Sequence, residues 1–173
     1  MNTPSILGDI VEPRDTVILV VPVDKEAPKG RLILPQVQCI RDLLDNNCKA
    51  FVVKESELAD AIEELKRPPK LVVTDSQAFK EVDATVPENI PLTSFSILFA
   101  RIKGDLDEFY KGANTIDTLQ DGDRVLICES CSHHPIEDDI ARVKIPRWIN
   151  LKTGKNIEFV YHSGHDFPAD LEG

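Results

Sequence analysis

Two thiols, two imidazoles and a carboxylate fall within seven consecutive positions, Cys128-Glu-Ser-Cys131-Ser-His133-His134. All are ligand types for zinc or iron. Cys131 and His133 are separated by one residue, so on an extended backbone their side chains point to the same side. Cys128 ends the apolar run Val125-Leu-Ile-Cys128, which predicts a core position for it and leaves Cys131 and His133 as the better exposed donors. Further along, His162 and His165 flank Ser163-Gly164. They approach the Cys131 loop if their strand lies beside residues 124–128 in parallel; without thiolate partners, a loop histidine is first of all a solvated side chain.

Nucleotide chemistry has no matching pattern. No glycine satisfies Gly-x4-Gly-Lys-Ser/Thr, and neither Gly-x-Gly-x-x-Gly nor Gly-x-Ser-x-Gly occurs. Gly30, between Lys29 and Arg31, reads as a turn residue, and Asp75 in Thr74-Asp-Ser-Gln77 as a helix N-cap rather than a catalytic acid. With 20 Lys+Arg against 30 Asp+Glu the formal charge is −10, and the basic groupings Lys66-Arg67 and Arg142-Val-Lys144 are short, which argues against nucleic acid as a partner. Arg142, Lys144 and Arg147 around Trp148 read as an exposed basic face that also suits the negative charge of a thiolate-bound metal. No apolar run approaches the roughly 18 residues of a spanning helix, so no membrane partner is expected, and Met1-Asn-Thr-Pro4 does not resemble a leader. The four cysteines, Cys39, Cys48, Cys128 and Cys131, are too few for a disulfide-stapled scaffold. A cytoplasmic protein with reduced thiols is expected.

The elements that would hold these residues alternate in type. Thr16 to Pro22 is a continuous apolar, β-branched run suited to a strand covered on both faces. A helix is predicted from Gln36 to Asn46, with Pro35 in its first turn and Val37, Ile40, Leu43 and Leu44 at helical spacing. Then come a strand at 50–53, a helix at 55–66 ended by Pro68-Pro69, a strand at 70–74, a short helix at 76–80 and a strand at 91–93. From Ser94 to Leu119 the pattern is helical with a break at Gly104, its second piece carrying Leu106, Phe109, Ala113, Ile116 and Leu119. A strand at 124–128, a helix from 137 to 150 and a strand at 157–161 complete the chain. The fold class is therefore α/β: two small Rossmann-like units with parallel sheets, the second incomplete, and a boundary between Ala100 and Asp105. The metal-ligand segment follows the C-terminal end of a strand, the edge of an open α/β sheet where sites form.

The segment from Cys131-Ser-His133-His134-Pro135 through Arg142-Val-Lys144-Ile-Pro146-Arg147-Trp148 closely resembles the cluster-binding region of HydF, the family of GTPase maturation factors of [FeFe]-hydrogenases. Asp24-Lys-Glu-Ala-Pro-Lys-Gly-Arg31, Val73-Thr-Asp-Ser-Gln77, Pro91-Leu-Thr-Ser-Phe-Ser-Ile-Leu-Phe-Ala-Arg101 and Ser163-Gly-His-Asp-Phe-Pro168 are similar to other stretches of that family. The resemblance implies a linker at 1–14, a dimerisation domain at 15–101 and a partial iron–sulfur cluster-binding domain at 104–173. The family's GTP-hydrolysing domain has no counterpart in this sequence, so neither a GTP site nor catalysis is expected. The family's ligand signature is Cys-x-His followed at a distance by His-Cys-x-x-Cys. Cys131 and His133 match its first half, whereas the 40 residues after His133 contain no cysteine. A [4Fe-4S] cluster takes about four ligands, mostly thiolates, so weak or absent cluster binding is expected. The implied role is a scaffold and carrier of the active-site precursor, homodimeric through the first domain, with apo-[FeFe]-hydrogenase and the radical-SAM maturases as partners. The alternative is a mononuclear zinc or iron protein, structural or hydrolytic, using Cys128, Cys131, His133 and His134 or His165.

Overall fold

The computed structural model describes residues 5–23, 30–129 and 140–163. The chain divides into two units, one ending at Leu106 and the other beginning at Asp107, each with its own parallel sheet. This is the expected α/β class.

In the first unit, strands β1 (Thr16–Val20), β2 (Lys49–Val53), β3 (Leu71–Thr74) and β4 (Leu92–Ser94) run parallel in the order β2-β1-β3-β4. Helices α1 (Leu34–Asp45), α2 (Leu58–Glu64), α3 (Phe79–Thr85) and α4 (Phe95–Lys103) cover both faces. Successive strand residues point to opposite faces, so β1 divides its side chains between two cores. Val17 and Leu19 pack with Val73, Cys39, Leu43, Phe95 and Leu98; Ile18 and Val20 pack with Val72, Leu58, Ala78 and Val82. Ser94 caps α4, its Oγ accepting from the Ile97 N–H at 3.2 Å.

Three expectations change here. Residues 5–14 are not a linker: Leu7 is fully buried and joins the first core with Ile6 and Val11. The Leu7 N–H donates to Asp42 Oδ2 at 2.8 Å, and Arg101 on α4 donates to the Ile6 carbonyl and to Asp9. The inward face of α1 is Gln36, Cys39 and Leu43, whereas Val37 and Leu44 face outward. Gln36 can be buried because its amide is satisfied twice: Oε1 accepts from the Ile33 N–H at 3.0 Å and Nε2 donates to Asp75 Oδ2 at 2.9 Å. Finally, α3 begins at Phe79 rather than Ser76, after a turn in which the Ala78 N–H donates to the Asp75 carbonyl, and its N-cap position is Ala78, not Asp75.

The second unit comprises α5 (Leu106–Thr115, which straddles the division), β5 (Arg124–Glu129), α6 (Ile145–Thr153) and β6 (Glu158–Ser163). A widened helical turn over Ile140–Lys144 precedes α6. Pro146 has no N–H, and its ring crowds the carbonyl of residue 142 in a regular helix, which accounts for that turn. Gly154 closes α6 with φ +64, a left-handed conformation that glycine adopts without steric penalty. Among the described residues of this unit the buried apolar side chains are Ile127, Ala141, Ile149 and Ile157. The apolar stripe of α5 buries nothing: Phe109 and Tyr110 are both exposed.

Candidate functional site

Strands β5 and β6 are direct parallel neighbours, in register Val125↔Phe159, Leu126↔Val160, Ile127↔Tyr161 and Cys128↔His162. This is the parallel strand adjacency posed as a condition from the sequence. Both strands point their C-terminal ends to the same edge, and Ser130 begins the segment that carries Cys131, His133 and His134. Those three residues and His165 lie outside the described residues.

Cys128 is exposed, which corrects the core position expected for it. The reason is the coverage of the sheet. An apolar strand buries both faces only when helices cover both, as for β1; β5 alternates, with Ile127 buried while Leu126 and Cys128 are open. Facing pairs share a side, so Leu126, Val160, Cys128 and His162 form one surface, with His162 half-buried. Tyr161 belongs to the opposite surface, and the Arg142 guanidinium lies 5.4 Å from its ring centroid, a cation–π contact. That gives one member of the basic group a packing role beside the site; Arg147 is exposed.

The other described thiols are poor ligands. Burial, with Asp42 adding to it, pushes the Cys39 thiol up to about 12, and burial also raises that of Cys48. Cys48 Sγ donates to the Glu12 carbonyl at 3.1 Å. Both therefore stay protonated packing groups at neutral pH, whereas metal binding needs thiolate.

The C-terminal edge of the first sheet carries hydroxyls instead of metal donors. Ser96 Oγ lies 2.7 Å from Ser76 Oγ and 2.9 Å from Ser94 Oγ, next to the Gln36–Asp75 hydrogen bond. Gly30 has φ +76, in keeping with a turn residue. Among the described residues, no three His, Cys, Asp or Glu side chains come together as a metal site.

For an iron–sulfur cubane the donor set fits poorly. The edge of β5 and the sequence after it provide two thiols, Cys128 and Cys131, against a requirement for mostly thiolate ligation.

Two small α/β units, each with its own parallel sheet, define the class of protein. Family models identify the class: the hydrogen maturase F dimerization domain matches residues 6–104, and the hydrogen maturase F tetramerization domain matches residues 107–173. The chain belongs to the hydrogen maturase F family. No curated protein matches it. Both models describe association domains, so self-association is a property of both units. The sequence reading assigned association to the first unit alone and overlooked it in the second. The available signal was the stripe of α5, whose apolar residues had no second layer of elements to pack against. Among the described residues, no helix is long and apolar enough to cross a membrane.

Proposed function

We propose that the chain is a cytoplasmic, non-enzymatic scaffold and carrier in [FeFe]-hydrogenase maturation, which self-associates through both units and presents metal cargo to apo-hydrogenase in concert with the radical-SAM maturases. The observation that carries this reading is the pair of family matches, which together span residues 6–173.

The exposed apolar surfaces suit such a role. On α1, Leu34, Val37 and Leu44 are exposed, and the helix packs against the edge strand β2, where Val52 is open as well. Edge strands invite pairing, and an apolar helix stripe beside one widens the surface that a second copy can bury. In the second unit, Trp148 and Leu151 are exposed on α6. By family resemblance Cys131 and His133 are the cluster donors, and the poor cubane fit makes a [4Fe-4S] cluster weakly held or absent in this chain.

Sedimentation of the full chain, followed by anaerobic mixing of the iron- and sulfide-reconstituted protein with apo-hydrogenase, tests the proposal. Oligomers that dissociate on Val37→Asp with Leu44→Asp, and hydrogenase activity that depends on the loaded chain, are the expected results. A monomer at working concentration, or hydrogenase activity unchanged by the loaded chain, would overturn it.

A further inference from the structure

Helix α5 is exposed along its whole length: every residue from Leu106 to Thr115 is open to solvent. A ten-residue helix with nothing packed on it is marginal in water, because propagation over so few residues barely offsets nucleation. Its sequence nevertheless gathers Leu106, Phe109, Tyr110 and Ala113 at helical spacing, one apolar stripe with Asp107 and Glu108 in the same turns. Helix α6 carries the complementary surface. Ile149 faces inward, whereas Arg147, Trp148 and Leu151 lie on the exposed side. The charges divide in the same way: residues 105–123 contain six carboxylates and one lysine, and residues 142–155 contain five basic side chains and no acid.

We propose that the acid-flanked apolar stripe of α5 docks on the basic, aromatic face of α6 in a second copy of this chain, and that the same contact repeats with the copies exchanged. The pairing deepens the proposed function, rests on its premise that the second unit self-associates, and names the two surfaces that meet. Three observations make the occupant a second copy. The tetramerization-domain match at residues 107–173 takes in α6 and all but the first residue of α5. The acidic and the basic surface belong to one chain, so a two-fold axis makes them self-complementary and closes the assembly. Pairing like with like is disfavoured: α5 against α5 sets acids against acids and α6 against α6 sets bases against bases, whereas α5 against α6 opposes unlike charges. One bond of this kind already exists within the chain, where Lys152 Nζ on α6 lies 2.7 Å from Asp117 Oδ1, just beyond α5. Tyr110, Arg147 and Trp148 are also the residue types that concentrate at the centres of protein interfaces.

Sedimentation of the full chain at low ionic strength, over a concentration series, reads the assembly step that the second unit supplies. Arg147→Glu alone and Asp107→Lys alone are each expected to weaken that step at least about tenfold, since each sets like charges against each other at both repeats of the contact. An equimolar mixture of the two variants is expected to recover association to within about threefold of wild type. In the mixture the altered α6 of one chain faces the altered α5 of the other, and the two unaltered helices face each other. Both positions are exposed, and far-UV circular dichroism checks that the helices are retained. Single variants that associate as the wild type does, or a mixture no better than either variant alone, would overturn the proposal. So would loss of hydrogenase activation in Arg147→Glu with self-association intact, which would assign the α6 face to an acidic partner protein. Association that survives both substitutions overturns this pairing alone, whereas a wild-type chain that stays monomeric overturns it together with the carrier reading.

Discussion

Both faces of the first sheet are covered, and side chains such as Ile18, Leu19, Val72 and Phe95 are at most 2% exposed. Among the described residues, the two-stranded sheet of the second unit leaves Leu126 41% exposed, and Trp148 and Leu151 on α6 are more open still. The first unit thus has a closed core, whereas the described part of the second exposes more apolar surface. Two strands with one covered face bury too little to be stable alone, whereas four strands covered on both sides approach the norm for an independent domain. On the described residues, association through the second unit is therefore expected to add to its stability.

The sharpest contrast is a pair of aromatic truncations. Phe95→Ala empties a position that is 2% exposed in the first core and is expected to cost about 3–5 kcal/mol in urea unfolding. Trp148→Ala, at a side chain 57% exposed, is expected to change the stability of the dissociated chain by less than about 0.5 kcal/mol. Equal losses would show that the second unit has a core of its own.

The same tryptophan matters once copies meet. Trp148→Ala combined with Leu151→Asp is expected to weaken self-association by about 2 kcal/mol or more, roughly thirtyfold in the dissociation constant, read by sedimentation over a concentration series. Unchanged association would move the contact in the second unit to α5 or to the open face of β5 and β6.

Thiols give a third contrast. At pH 8, alkylation followed by peptide mass spectrometry is expected to modify Cys128 readily in the native chain and Cys39 and Cys48 only after unfolding, since one is exposed and the others buried. The stability consequence is confined to high pH. Burial raises the Cys39 thiol from 9.0 to about 12, so its contribution is fully present below pH 9 and is lost as pH rises toward 12. Between those limits the unfolded chain is deprotonated first and the first unit loses at most about 1.4 kcal/mol per pH unit. Cys39→Ala should flatten that slope.

What was legible in the sequence follows the same division. The run at 16–20 announced a doubly covered strand because Val17, Ile18, Leu19 and Val20 are consecutive apolar residues, and the parallel α/β class followed from the alternation of such strands with helical segments. The inward face of α1 was misread because Val37, Ile40 and Leu44 make a second apolar stripe, while the true inward residue Gln36 is polar and is neutralised by a partner 39 positions away, Asp75. No local pattern encodes that bond. Cys128 was misplaced for a related reason: an apolar run predicts a buried strand only if both faces gain a helix, and coverage is a tertiary property. Conversely, the parallel adjacency of the strands at 124–128 and 157–161 was posed from the sequence as a condition, and the β5–β6 register satisfies it.

The smallest expected effect tests how the first unit closes over its N-terminal segment. Arg101 reaches from α4 to Asp9 with Nη2 2.9 Å from Oδ1, and the same guanidinium donates to the Ile6 carbonyl, beside the buried Leu7. The hydrogen bond from Arg101 is the main cause holding the Asp9 carboxyl below its ordinary value of 3.8. A carboxylate lowered on folding contributes stability above its unfolded value and loses it as pH falls through the folded one. Because Asp9 is 66% exposed, screening limits that contribution to less than about 1 kcal/mol. Asp9→Asn should therefore lower the urea midpoint slightly at pH 6, and the gap from wild type should narrow as pH falls below the ordinary value of 3.8 and through the lowered value of the folded carboxyl. A gap that stays constant with pH would mean that the side chain acts through packing or neutral hydrogen bonding. The charge would then play no part in fastening residues 5–14, and the Arg101 bond to the Ile6 carbonyl would be the contact that holds them.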